Sequence, residues 1–182
     1  PALAAGPAQS EQDLRSRLDK GEIIVKTKMV KGFDVPEATM TAVIDAPPAD
    51  IWKIISECNN YTKTMIRTLE SEQLSAQEGS VVCRVIVDLP WPLSNLEAKT
   101  RAKHVVGPPV WSRTWSLISG DYESNKGSWN IRSFNPEGTR SLVIYKVHAV
   151  PDTAVPDSLI AKAQNDTLPK LIKHLRKSLK KK

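Results

Sequence analysis

The sequence predicts an α+β fold in which a curved antiparallel β-sheet wraps around a long C-terminal helix. Five apolar segments between residues 66 and 150 are separated by turn residues and by no helix-length segment, which favours hairpins. Residues 156–182 repeat apolar side chains every three or four positions, the spacing of an amphipathic helix. Prolines and further apolar residues at helical spacing place two short helices ahead of the hairpins.

The N-terminal part is predicted to contain one short helix and two strands. Leu14 and Leu18 lie four positions apart among charged residues, so residues 10–20 should form a helix. Two segments rich in Ile, Val and Thr follow at 22–30 and 38–44 and read as strands. We therefore divide the chain into a leader with a short helix, residues 1–20, and a single domain at 21–182.

The two short helices are predicted directly after the second strand. Pro47 and Pro48 end that strand and are tolerated in the first turn of a helix. Ile51, Trp52 and Ile55 then follow at helical spacing. Residues 61–65 read as a second short helix.

The hairpin region is defined by its strands and by the turns between them. The predicted strands are 81–89, 96–106, 111–118, 127–134 and 142–150. The predicted turns, rich in Gly, Pro and Asn, are 77–79, 107–109, 124–127 and 135–138.

The C-terminal helix is predicted to be kinked and basic at its end. Pro169 interrupts its apolar stripe, so two helical rods joined near Thr167 are expected. Much of the formal net charge of +6 lies in residues 170–182. These cations either complement the helix dipole in solvent or contact an anionic membrane transiently. The remainder of the chain is close to neutral, and we expect no nucleic-acid partner.

The N-terminus and the two cysteines bear on the compartment. Ala2-Leu3-Ala4 fits the small-x-small pattern at which signal peptides are cleaved, which predicts a secreted or periplasmic protein; the alternative is a cytoplasmic one. Export would permit a disulfide between Cys58 and Cys83. A pair of free buried cysteines is the alternative.

Two motifs resemble the START-related, Bet v 1-like superfamily, which includes START domains and polyketide cyclase/dehydrase-like domains. The proline-led helix at 46–55 carries a Trp and runs into Tyr61 and Met65, as in the entry motif of that superfamily. Residues 88–94, Asp-Leu-Pro-Trp-Pro-Leu-Ser, are similar to a segment of START domains, although the Arg-Asp-like pair that commonly follows is here Asn95-Leu96. The resemblance covers about residues 22–180 and implies a helix-grip fold with an internal ligand cavity.

Strand alternation indicates which side chains face such a cavity. On a strand, successive side chains point to opposite faces, so alternate apolar residues share the inner face. Trp91, between two prolines, is expected at an entrance, and His104 could present a polar group to a ligand. The predicted ligand-binding residues are Tyr61, Met65, Val85, Val87, Trp91, His104, Trp115, Trp129, Tyr145, Leu168 and Ile172.

No motif in the sequence points to catalysis, a metal or a cofactor. Nucleophile elbows, phosphate loops and His-Glu-x-x-His are absent from the sequence, and no histidine has metal-ligand spacing. The sequence therefore favours a monomeric carrier or sensor of a hydrophobic small molecule, such as a lipid, a sterol or a quinone. The alternatives are a polyketide cyclase or aromatase that uses His104 and Tyr145, and a module that binds membranes or proteins through its basic C-terminal helix.

Overall fold

The computed structural model describes residues 7–89, 91, 93–153, 155–156, 159 and 166–180. Its helices are α1 (Pro7–Asp19), α2 (Pro48–Ile55), α3 (Tyr61–Thr64) and α4 (Leu168–Leu179), with a 3-10 turn at Cys58–Asn60. Its strands are β1 (Ile24–Lys28), β2 (Glu37–Ile44), β3 (Thr68–Gln77), β4 (Ser80–Val87), β5 (Leu96–Val105), β6 (Trp111–Gly120), β7 (Tyr122–Ser133) and β8 (Ser141–Pro151).

The eight strands form one antiparallel sheet in the order β1-β2-β8-β7-β6-β5-β4-β3. Strands β3 to β8 are consecutive hairpins, and three of their reversals lie at the predicted turns 77–79, 107–109 and 135–138. The last strand, β8, then pairs with the N-terminal strand β2, with Ala38 opposite Val147 and Ile44 opposite Ser141. The predicted antiparallel α+β fold, a helix-grip arrangement, is confirmed.

One predicted turn is wrong. Residues 124–127 were expected to reverse the chain, but they lie inside β7, and the reversal is at Gly120 and Asp121. Gly120 has φ of +133°, a backbone conformation that favours glycine. The glycine at this position was therefore the sequence signal for the observed turn. Gly127 serves a different purpose: a Cβ at this position would collide with the Trp115 ring and the Lys146 carbonyl. Its missing side chain leaves room for the Trp115 ring.

The main core lies between the sheet and the helices α2 and α4. Helix α2 begins with Pro48 and buries one face, including Ile51 and Ile55, which are both fully buried. These side chains pack in one cluster with Ile131 of β7 and Val143 of β8. The inward-facing side chains of the strands therefore pack against the apolar face of α2, and this contact holds α2 on the sheet.

Helix α4 has two opposite faces of different chemistry. Leu171, Ile172 and Leu175 are buried in the main core. Lysines occupy the other face and are exposed: Lys170, Lys173, Lys177 and Lys180. This group is called the lysine face below.

Pro169 lies in the first turn of α4, where proline is tolerated. The kink predicted near Thr167 required a second rod before it, and residues 160–165 lie outside the described part of the chain. At the other end, Arg176 donates hydrogen bonds to the carbonyl oxygens of Val43 and Gly21. In the described ranges, no helix has the length and apolar character needed to cross a bilayer.

Candidate ligand cavity

A cavity of about 490 Å³ lies between the inner face of the sheet and the helices α3 and α4. This volume is in the range of about 300–1,000 Å³ that is typical of small-molecule sites. The strands β4 to β8 form its wall, and Leu168 and Leu171 of α4 close it from the opposite side. The lining is mostly apolar, and a hydrophobic molecule would be desolvated there.

The aliphatic part of the wall comes from two neighbouring strands. Val85 and Val87 of β4 face the cavity, and their cross-strand partners on β5, Ala98 and Leu96, do so as well. Side chains of the opposite parity point outward, and Arg84 of β4 makes ion pairs with Glu70 and Glu97 there. The alternation predicted for these strands is thus the one observed.

Three aromatic side chains form the opposite part of the wall. The Tyr145 ring lies 4.3 Å from the Trp129 ring and 5.9 Å from the Trp115 ring, measured between centroids. Trp115 Nε1 donates a hydrogen bond of 3.0 Å to Asn125 Oδ1, so its polar edge is satisfied. Burial raises the pKa of Tyr145, which keeps its phenol neutral.

Arg113 of β6 brings a positive charge to this apolar wall. Its side chain is 3% exposed and lines the cavity. Nη1 lies 2.6 Å from His104 Nε2, and Nη2 lies 3.3 Å from Cys83 Sγ. The guanidinium carbon also stands 5.7 Å from the centre of the Tyr61 ring, a cation–π distance.

Tyr61 links this charged group to the helices. Its hydroxyl donates a hydrogen bond of 2.6 Å to the Ile55 carbonyl at the end of α2. Arg113 Nη1 is 3.5 Å from the carbonyl of Ser56, the C-cap of the same helix. The partial negative charge of a helix C-terminus favours a nearby cation, so α2 offsets part of the cost of burying Arg113.

His104 supports Arg113 from outside the cavity. Its ring packs edge-on against Trp52, with centroids 5.0 Å apart, and does not line the cavity wall. Burial, together with the charge of Arg113, lowers the pKa of His104 to about 4. The neutral ring therefore accepts a hydrogen bond from Arg113 at neutral pH.

A disulfide joins Cys58, in the turn before α3, to Cys83 of β4. The sequence left the choice between a bridge and two free cysteines open. Cys83 lines the cavity beside Arg113, so the bridge fastens the turn before α3 to the strand that carries the apolar wall.

The far end of the cavity reaches the surface. Arg67 and Asp88 line it and form an ion pair of 3.1 Å, and both side chains are about 40% exposed. Cys83, beside Arg113, precedes Val87 by four residues on β4, which is about 13 Å along a strand. Arg113 is therefore at the inner end, and the Arg67–Asp88 pair is at the open end.

Most of the predicted ligand-binding residues come together in the cavity wall, and three do not. Those in the wall are Tyr61, Met65, Val85, Val87, Trp115, Trp129, Tyr145 and Leu168. Trp91 is 92% exposed and is not part of the wall, and Ile172 is fully buried in the main core, where Leu171 faces the cavity instead. His104 lies behind Arg113.

Sequence reasoning missed Arg113, although a signal for it was present. Arg113 alternates with Trp111 and Trp115 on the same face of β6, so a cation occupies an inward position. A charged residue between inward-facing tryptophans is unusual, because burying a charge is costly.

The fold and the cavity define a helix-grip domain that encloses a hydrophobic ligand site. Residues 44–176 match the family model for polyketide cyclase/dehydrase and lipid transport. The chain belongs to this family, and the resemblance to the START-related superfamily is confirmed. None of the curated proteins compared with the chain matches its sequence.

Solved structures with the same fold come from lipid-transfer and cyclase proteins. A STAR-related lipid transfer protein from Xanthomonas axonopodis has a TM-score of 0.75 at 20% identity, over 87% of this chain and 93% of that chain. Human StAR-related lipid transfer protein 5 has a TM-score of 0.72 at 11% identity, over 94% and 93%. The Zhui aromatase/cyclase from Streptomyces sp. R1128 has a TM-score of 0.56 at 16% identity, over 85% and 92%. At these identities the likeness concerns the fold.

The low pKa of His104 predicts an acid-dependent loss of stability. Unfolded His104 binds a proton with a pKa near 6.5, whereas the folded protein holds it neutral until about pH 4. This contribution to stability is complete above pH 6.5 and is lost as the pH falls to 4. The side chain is only partly buried, so we expect a loss on the order of 1 kcal/mol.

Urea unfolding of the wild type and of His104→Gln at pH 7.5 and 4.5 measures this effect. The glutamine oxygen can still accept from Arg113 but does not titrate in this range. The variant should lose less stability on acidification than the wild type. An equal loss in both proteins would contradict the prediction.

Proposed function

We propose that the protein binds a lipid-like hydrophobic molecule in this cavity and transfers it between membranes or partners. The observation that carries the proposal is the apolar cavity of about 490 Å³ enclosed by β4 to β8 and α4. Burying about 300 Å² of ligand apolar surface contributes roughly 7 kcal/mol before ordering costs, at about 25 cal/mol per Å². Apolar burial alone therefore supports useful affinity.

A polyketide cyclase or aromatase in the same fold is the second candidate. Such an enzyme would use polar side chains in the cavity to position an enol or to move a proton. The sequence assigns this role to His104 and Tyr145. His104 accepts a hydrogen bond from Arg113 behind the cavity wall, so the site gives this candidate less support than it gives the carrier.

The lysine face of α4 supports transient contact with an anionic membrane. Its four lysines point to solvent from the helix that covers the cavity. Each basic residue near an anionic surface contributes about 1 kcal/mol to membrane binding at low salt. Docking through this face would bring the cavity-closing helix to the lipid surface.

The disulfide supports work outside the cytoplasm, in a secreted or periplasmic setting. Structural disulfides persist in oxidising compartments and are rare in reducing ones. The Cys58–Cys83 bridge holds part of the cavity wall in place. An oxidising compartment would therefore preserve both the bond and the shape of the cavity.

Filling the cavity should weaken binding without unfolding the protein. Val85→Trp places a large ring among the apolar wall residues, whereas Val82→Trp places it on the outer face of the same strand. Losing ~60 Å² of ligand contact costs about 1.5 kcal/mol, or about tenfold in Kd. Titration of the delipidated proteins with fatty acids, phospholipids, sterols and quinones, followed by native mass spectrometry, measures the change. If the delipidated wild type bound none of these classes, the proposal would be wrong.

Charge reversal on the lysine face should reduce transfer between anionic vesicles. We expect Lys173→Glu/Lys177→Glu to lower binding to phosphatidylserine-containing liposomes by about tenfold or more at low salt, and less at high salt. Arg101→Glu/Lys103→Glu, with both residues exposed on the outer face of β5, is the matched control. Liposome flotation and vesicle-to-vesicle transfer of a fluorescent lipid measure the effect. Equal losses in both double variants would indicate that only net charge matters.

The compartment can be tested through the cysteines. In cells of its source, thiol alkylation without reductant should leave Cys58 and Cys83 unmodified. Closing a loop with a sequence separation of 25 residues stabilises the folded state by about 3.5 kcal/mol. Guanidinium unfolding of Cys58→Ala/Cys83→Ala should therefore show a loss of that size. Alkylation of both cysteines in cells would contradict export.

A further inference from the structure

Arg113 is a buried cation whose neighbours do not neutralise it. Within the described part of the chain, no carboxylate forms an ion pair with it. Its contacts there are to a neutral imidazole, a carbonyl, a disulfide sulfur and an aromatic face. Burial lowers the pKa of the guanidinium, the direction expected for a cation removed from water without an anion beside it.

The orientation of these contacts leaves part of the guanidinium available. Within the described residues, Nη1 is engaged by His104 and Ser56, and Nη2 has one weak contact with Cys83, while Nε has no protein partner. Nε and Nη2 are the two donors with which arginine holds a carboxylate or phosphate in bidentate geometry. Because Arg113 lines the cavity, a ligand oxyanion is the group that could occupy this position.

The rest of the cavity wall determines the chemistry of the ligand tail that is attached to such a headgroup. From Arg113 the wall continues through the three aromatic side chains described above and then through Val85 and Val87 toward the open end. At the open end of the cavity, the positive charge of Arg67 is neutralised by Asp88. Among the described residues, the cavity thus combines an inner cation that has no ion-pair partner with an apolar path toward the open end.

We propose that the cavity selects single-chain amphiphiles with an oxyanion headgroup, a carboxylate or a phosphate monoester, and binds that headgroup on Arg113 with the tail directed toward the open end. This inference rests on the proposed carrier function and names its ligand class.

The test compares ligands that share a tail and differ in headgroup. Hexadecanoate, hexadecyl phosphate and hexadecanol displace the neutral fluorescent probe N-phenyl-1-naphthylamine from delipidated protein, each against the wild type, Arg113→Gln and Arg101→Gln. Arg101 is the control because it is an exposed arginine on the outer face of the sheet. The wild type and Arg101→Gln should bind at least one anion about 10- to 100-fold more tightly than the alcohol. In Arg113→Gln this preference should fall to about 1, with the affinity for the alcohol little changed.

Each outcome bears on a different claim. Dependence on Arg113 for the carboxylate, the phosphate or both identifies the headgroup that is recognised. Equal affinity for anions and alcohol in the wild type, or a preference retained in Arg113→Gln, would overturn the anion site and leave the carrier function in place. Failure of the wild type to bind the probe and all three amphiphiles would overturn both.

A measurement on the wild type alone covers the case in which Arg113→Gln does not fold. Hexadecanoate labelled with ¹³C at its carboxyl reports its own titration by NMR. Beside Arg113 the bound carboxyl should titrate at least about one pH unit below the same acid in neutral vesicles, because an adjacent cation favours the ionised form. A titration at or above the vesicle value would contradict the proposal.

Discussion

The contact between the apolar stripe of α4 and the inner face of the sheet is the constraint on which the rest of the structure depends. Leu171, Ile172 and Leu175 pack into the core with α2, β7 and β8. Burying side chains of this size contributes about 1.5–3 kcal/mol each, so the middle of the helix holds it on the sheet. Its first turn, with Leu168, is then positioned over a space that the sheet does not fill. Leu171 belongs to the core and also lines the cavity, so the contact that holds the helix also sets the position of the cavity wall.

Periodicity was sufficient to predict most of this architecture. Alternation on β4 and β5 identified the inner wall, because a half-buried strand must place its apolar residues on one side. The turn at 124–127 was misplaced because glycine has two uses, and its sequence context did not distinguish a reversal at Gly127 from space for the Trp115 ring. Only the positions of neighbouring strands separate these uses.

The candidate site was harder to predict than the fold. Strand parity puts His104 on the inner side of the sheet, but it does not reveal that Trp52 of α2 covers the ring there. Arg113 illustrates the difficulty best. Its alternation with two tryptophans placed it inside, yet its importance depends on neighbours that are distant in sequence, Ser56, Tyr61 and Cys83. A buried charged group can bind a ligand ion only where its neighbours do not neutralise it. Three-dimensional packing decides which side chains those neighbours are.

The pairing of β2 with β8 has a consequence for the time at which the protein can fold. The two strands join residues 38–44 to residues 141–147, so β1 and β2 can enter the sheet only after β8 has been made. Such long-range pairing carries a high loop-closure entropy and slows folding. During synthesis, the N-terminal strands must wait for nearly the whole chain before they can enter the sheet. Until then β2 lacks the strand with which it pairs in the folded protein.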